Sequence, residues 1–245
     1  MKRWCWVGLL GFGLATGAQA HEEGFQGDLG GMVTRSASPV AGLLAEQQVL
    51  PYIYGDWGPV YARVDTLGVR TLALGQGHLE LAARIGTEGF DARKSAHPAL
   101  GERSAPLPIG LGTFQRTPWG GVFAYLMHDT RSGGAFAELN WAGRLEMGAA
   151  TLYPQLGAQY RSSAYINHLY GLSPSAAAAT GLAPYIAGDS LQAMATLHLS
   201  YPLSGGWSLQ AQARRRWLDK AVTHSPLVDT HAQNSGLLAL TRHFH

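Results

Sequence analysis

The chain has 245 residues, with 18 basic and 16 acidic side chains, ten histidines and a single cysteine. With Lys2 and Arg3 set aside, 16 basic residues face 16 acidic ones, a balance that speaks against a nucleic-acid partner. The cysteine is Cys5, so the chain after it can build no disulfide, thiolate metal site or cysteine nucleophile, and beyond Gly17 no run approaches the roughly 18 apolar residues of a membrane helix.

Lys2 and Arg3 precede an uncharged, largely apolar stretch from Trp4 to Gly17, and Ala18-Gln19-Ala20 follows the small-x-small rule for cleavage after Ala20. As a helix that stretch would reach only about 21 Å, short of a hydrocarbon core of about 30 Å, so it reads as a signal peptide, not an anchor. The expected organisation is a signal peptide over 1–20 and one domain over 21–245.

Eleven candidate strands follow, over 25–35, 48–56, 60–71, 77–86, 107–116, 120–130, 134–146, 149–161, 189–202, 206–218 and 234–244. Leu79, Leu81, Ala83 and Ile85 alternate with His78, Glu80, Ala82 and Arg84. Ala137, Leu139 and Trp141 alternate with Glu138, Asn140 and, further on, Arg144 and Glu146. The clearest pair runs from Leu191 to Tyr201 and from Trp207 to Trp217, where Gln210, Gln212, Arg214 and Arg216 share one face and Leu209, Ala211 and Ala213 the other. In a soluble sandwich the polar face would be the dry core, at a cost of several kcal/mol for unpaired groups. In a transmembrane barrel it lines a lumen while the apolar face meets lipid.

Aromatic residues near strand ends, among them Trp57, Trp119, Tyr153, Tyr201 and Trp207, suit the two membrane interfaces. Phe244 provides the aromatic finish that barrel-assembly machinery reads, although His245 follows it. The expected fold is therefore all-β: an antiparallel up-and-down outer-membrane barrel. Such barrels have an even strand number, so we expect twelve strands, with one hidden in 86–106, or ten if a weak segment such as 25–35 is not in the wall. Short inner-side turns fall at 117–119, 146–148 and 202–206, and the long connections 162–188 and 219–233 face outward.

Within the first long connection Ser173 can cap a short helix, Pro174 suits its first turn, Ala176 to Ala179 propagate it and Gly181 supplies a left-handed stop. This predicts a helical turn over the barrel mouth, against which Ser225-Pro226 could pack. Enzymatic chemistry finds little support. No Gly-x-Ser-x-Gly elbow or His-Glu-x-x-His site is present, and ordinary loop polarity accounts for Ser163, His168 and Asp189; we expect neither catalytic residues, metal nor cofactor.

The run Tyr170-Gly171-Leu172-Ser173-Pro174-Ser175 through Gly181-Leu182 and Ala187-Gly188-Asp189-Ser190-Leu191 resembles a signature loop of the MipA/OmpV family. Tyr201-Pro202-Leu203 with Trp207-Ser208-Leu209, and Ser225-Pro226-Leu227-Val228-Asp229 leading to Phe244, are similar to further segments of it, in the same order. The first half matches in strand rhythm and at Leu50-Pro51-Tyr52. The resemblance implies an outer-membrane protein that in some members serves as a scaffold between a murein hydrolase and a penicillin-binding protein in peptidoglycan enlargement; other members are porin-like or adhesins. The turns carrying Trp119, Gly148, Gly205 and Trp207 are then the candidate contacts for a periplasmic partner. Read from the residues alone, the polar inner face suggests a channel, narrowed by pairs between Glu80, Glu138 or Glu146 and Arg63, Arg84, Arg144, Arg214 or Arg216.

Overall fold

A strand sends successive side chains to opposite faces, and a strand in lipid must also pair both of its edges, so an alternating chain can cross a bilayer only as a closed sheet. The computed structural model, which describes residues 24–245, has that form; the expected signal peptide lies outside the described residues. Its strands are β1 (Gln26–Ser36), β2 (Glu46–Trp57), β3 (Val60–Arg63), β4 (Thr66–Leu74), β5 (Gly77–Arg84) and β6 (Pro108–Thr117). They continue as β7 (Gly120–Asp129), β8 (Ala135–Ala142, resumed at Leu145–Met147), β9 (Ala150–Arg161), β10 (Ser190–Pro202), β11 (Trp207–Trp217) and β12 (Ala232–Phe244). Each pairs antiparallel with its neighbour in sequence, and β1 pairs with β12 from Gly27–Phe244 to Ser36–Ser235, closing a twelve-stranded barrel.

The twelfth strand is not where it was expected. Segment 60–71 is two strands, β3 and β4, which reverse at Val64 and Asp65, with Val64 at φ 58. A β-branched residue at positive φ is a genuine outlier, so no composition rule would place a turn there. The stretch 86–106 contributes no wall strand. It holds a small pairing of Phe90–Asp91 with Glu102–Arg103 and two single 3-10 turns, and it folds into the barrel mouth. Segment 25–35, by contrast, is in the wall as β1.

One end of the barrel carries the tight connections at 58–59, 75–76, 118–119, 148–149 and 203–206, and the other carries 37–45, 85–107, 130–134, 162–189 and 218–231. Short turns face the periplasm in such barrels, and long loops face the medium. Outward positions form an apolar belt that includes Leu81, Leu111, Leu126, Leu139, Leu156, Leu197 and Leu238, with Trp57, Trp119, Trp207 and Phe244 toward the tight-turn end. The long loops pack on one another into a lid whose apolar core of Val40, Tyr165, Ile166, Leu169, Tyr170 and Val222 continues into the wall residues Ala82, Tyr125, Met127 and Phe136.

Candidate functional site: the occluded lumen and its lid

Period-two alternation directs Glu80, Arg84, Glu138, Gln210, Gln212, Arg214 and Arg216 inward, and what they meet there is protein. Arg84 Nη1 donates to Glu138 Oε2 at 2.9 Å, and Gln159 Nε2 donates to the same oxygen at 2.6 Å. The Arg84 guanidinium also lies over the rings of Tyr125 and Phe136, 4.8 and 5.4 Å from their centroids. Glu80 pairs with His78 at 2.9 Å. Gln210, expected on the lumen face, is 3% exposed and hydrogen-bonds His198 and Thr241. Arg214 donates from Nε to Thr196 Oγ1 at 3.2 Å and has no carboxylate partner among the described residues, and Gln212 sits inward beside His198 in the β10–β11 register.

Arg144 stands at the end of the inward set. The β8 strand breaks at Gly143, and Arg144 stands exposed at the tight-turn end, paired at 3.0 Å with an equally exposed Glu146. Pairing resumes in the same register, Glu146 opposite Thr151 as Ala142 is opposite Gln155, so both keep the inward parity but sit at the open tight-turn mouth, where a solvated bridge carries little energetic weight. Arg63 also finds a different partner: it shares Asp56 with Arg70, each at 2.6 Å.

The centre of the upper lumen is a residue that the alternation could not reveal. Glu88, in the 85–107 loop, descends into the barrel and accepts from Arg161 Nη2 at 2.7 Å and from Arg216, while Tyr165 Oη donates to its second oxygen at 3.3 Å. Burial by itself would raise the Glu88 pKa, but the guanidiniums of Arg161 and Arg216 outweigh it and hold the carboxyl at about 2. Arg161 could have been found from sequence, because in β9 it continues the polar series Thr151, Gln155 and Gln159. Glu88 carries no such signal, since its strand ends four residues earlier.

Above this cluster two helices form the lid. α1 (Ser163–Tyr170) was not expected; Asp189 Oδ1 accepts from the Ser163 backbone N–H at 2.7 Å, and Arg103 donates to the carbonyls of His168 and Gly171 at 3.1 Å each. Charges of those signs at those ends match the helix dipole. Tyr160 Oη also bonds Asp189, at 2.8 Å, and these contacts hold its carboxyl below the ordinary aspartate range. His168 bonds the carbonyl of Ser104 at 2.9 Å. Ser163, His168 and Asp189 thus organise the lid, His168 through Ser104 and Asp189 through the Ser163 N–H and Tyr160.

α2 (Pro174–Thr180) has the residues of the expected helical turn: Ser173 Oγ accepts from the Ala176 N–H at 3.3 Å, Pro174 opens the helix and Gly181 closes it at φ 70. Tyr170 is buried, and its carbonyl accepts from Ser225 Oγ at 2.7 Å, while Leu227, next to Pro226, packs with Leu172 and Ala177, and Leu182 lies at the edge of that cluster. Gly171 turns the chain between the helices. The segments 170–191 and 225–229 therefore meet in the lid formed by the long loops, while 201–209 lies at the tight-turn end. Among the described residues, no group of three metal-ligating side chains lies together.

At the opposite end Trp119 is 81% exposed and Trp207 stands half out of the wall. Gly148 and Gly205 take φ 64 and 68 in their turns, a conformation that costs glycine nothing.

Comparison with known proteins places this architecture. The family model for "MltA-interacting protein MipA" matches residues 29–244, nearly the whole described barrel. The putative outer membrane protein YiaT of Escherichia coli is 27% identical over 206 residues, covering 82% of this chain and 84% of that protein. The MltA-interacting protein of Escherichia coli is 33% identical over 132 residues, 53% of each chain, and the outer membrane protein OmpV of Vibrio cholerae is 28% identical over 148 residues, 60% of this chain and 56% of that one. The chain belongs to the MipA/OmpV family of outer-membrane proteins.

Proposed function

We propose that this barrel is a closed platform in the outer membrane whose periplasmic turns hold a murein hydrolase, and with it a penicillin-binding synthase, close to the peptidoglycan. The observation that carries this reading is the occluded axis. Glu88, Arg161 and Arg216, with Arg84, Glu138 and Gln159 directly beneath them, fill the upper lumen, and the lid core covers them. An axial channel would have to break a buried charge cluster, at about 3–5 kcal/mol, before any solute passed. The name of the relative that is 33% identical supports a hydrolase as partner.

A periplasmic partner cannot reach the signature segments in the outward lid, so it has to use the tight-turn end. There Trp119 and Trp207 offer the anchoring rings that interfaces favour. Turns present less area than a standard interface of about 1,600 Å², which favours a weak or multivalent association. The test is affinity purification from detergent extracts, comparing the wild type with a Trp119→Ala, Trp207→Ala double variant that still migrates as a folded barrel. A murein hydrolase that accompanies the wild type and not the variant supports the platform. Its absence from the wild type, with steady conductance in a planar bilayer, overturns the platform in favour of a channel.

A further inference from the structure

Among the described residues the wall has one gap. β1 pairs with β2 from Gln26–Asp56 up to Ser36–Glu46, but β3 reaches only from Trp57–Val60 to Tyr54–Arg63 before the chain turns back at Val64 and Asp65. Above that point about 26 Å of β2, residues 46–53, has a neighbour on one side only. The Val64 N–H donates to the Ile53 carbonyl at 2.9 Å, so the odd-numbered residues of β2 turn their backbone groups toward the gap, where those of Gln47, Val49 and Pro51 have no backbone partner among the described residues. Pro51, lacking an N–H, blunts this edge.

The rim of the gap is apolar toward the membrane. Val49 is 79% exposed, and Ile53, Val64, Leu67 and Ile85 are exposed beside it. Toward the medium the rim is polar, with Glu46, Gln47 and Gln48 all exposed. Inside, Asp65 and Ile85 border a cavity of about 80 Å³ whose far wall carries Arg161, Arg214 and Arg216. With Arg84, the lining has four guanidiniums against the carboxylates of Asp65 and Glu88. Arg161 has a side chain 2% exposed, yet its Nε and Nη1 have no hydrogen-bond partner, and Arg216 Nε has none either. Buried donors of this kind are costly unless something accepts from them.

The geometry points to a lateral portal: a single-tailed anionic amphiphile lies through the gap beside β2, its tail among Val49, Ile53 and Ile85 and its carboxylate or phosphate headgroup accepting from Arg161, Arg214 and Arg216. The lid closes the axis, so the side of the barrel is the way in, and the gap spans the polar boundary of the outer leaflet where such a molecule resides. The inference does not depend on the periplasmic platform.

The protein purified in dodecyl maltoside, exposed to a palmitic acid bearing a diazirine on its chain and irradiated, tests it. Labelling should concentrate on 46–53 and 64–67, fall by about tenfold in Arg214→Gln, the loss expected for one charge-assisted hydrogen bond, and largely return in Arg214→Lys. Each variant has to keep its heat-modifiable migration; should Arg214→Gln fail to fold, Thr196→Val, which removes only the anchor of Arg214, takes its place with the same expected direction. Competition by palmitate identifies a free carboxylate as the source, and competition by lysophosphatidate a lipid phosphate. The portal is overturned by equal labelling with the methyl ester, by labels spread around the whole belt, by undiminished labelling of the folded variant, or by inorganic phosphate or neither amphiphile competing. Crosslinks joining residues 46–53 of two copies would overturn it as well, and assign the edge to a dimer.

Discussion

Two sectors of the wall solve the same problem differently. From β9 to β12 and on to β1 the strands pair along nearly their whole length, Thr151–Arg161 with Ser200–Ser190 and Trp207–Trp217 with Arg242–Ala232. From β2 to β5 the hairpin of β3 stops after four residues, and β4 slips register between Arg70 and Leu72. A tilted strand needs about 9–11 residues to span a bilayer, so the first sector is a complete wall and the second is not. Where strands are short, inward charges find partners elsewhere. Asp56 takes two arginines, and the loop after β5 sends Glu88 across the lumen to Arg161 of β9 and Arg216 of β11. Glu88 is the stitch between the two sectors.

Cutting that stitch should have the largest effect. Glu88→Ala leaves Arg161 and Arg216 adjacent, buried and uncompensated, and should destabilise the barrel by about 3–5 kcal/mol in urea unfolding from detergent. A loss below about 1 kcal/mol would mean that the sectors hold together without it. Acid should act in the same direction. The folded Glu88 pKa is depressed from 4.5 to about 2, so its contribution is fully present above the unfolded value and is lost as the pH falls from 4.5 through 2. The unfolding midpoint should therefore drop across that window in the wild type and change less in Glu88→Gln.

The next contrast is between the outer faces. Leu197 lies mid-strand in the complete sector, and Leu197→Arg should cost about 2–4 kcal/mol, whereas Val49→Arg, beside the gap and near the polar rim, should cost about 0–1 kcal/mol. Equal costs would show that lipid packs against both places alike and that Val49 does not lie near the polar boundary. Orientation has its own check. With Cys5 the chain's only cysteine, Ser175→Cys in α2 should react with an impermeant maleimide on intact cells, and Ser204→Cys should not.

The complete sector was legible because lipid on one side and packed polar groups on the other impose a period of two that 11 to 13 residues display fully. Gln210, Arg214 and Arg216 were placed on the inner face from that signal alone. The short sector hid its reversal, since β3 and β4 together have the length of one ordinary strand and the turn is made by Val64-Asp65, without glycine, proline or asparagine. The lumen cluster was half legible: Arg84 and Glu138 follow the alternation, but Glu88 reaches its partners through a loop, and long-range docking of a loop leaves no local pattern. Pairing of the inward charges predicts a narrowed or closed bore, yet not which groups close it. Alternation tells which way Gln210 points and not what it meets there: near the tight-turn end it is covered by His198 and Thr241.

The smallest expected effect tests whether the complete sector is independent of what it carries. α2 follows β9 and rests on Leu172 and Leu227, with Ser173 Oγ accepting from the Ala176 N–H as its cap. Ser173→Ala removes that acceptor and should cost about 1 kcal/mol, the usual value for such a cap. A helix of this length has no reserve of its own, so the loss should appear locally, as amide exchange roughly fivefold faster over 174–180. The buried bond from Ser225 to the Tyr170 carbonyl lies below the cap and remains, so α1 and the Glu88 cluster should exchange as before. If exchange also quickened in β9, or if the urea midpoint moved, the lid and the long strands would form one cooperative unit, and the division of the wall into a self-supporting sector and a stitched one would have to be redrawn.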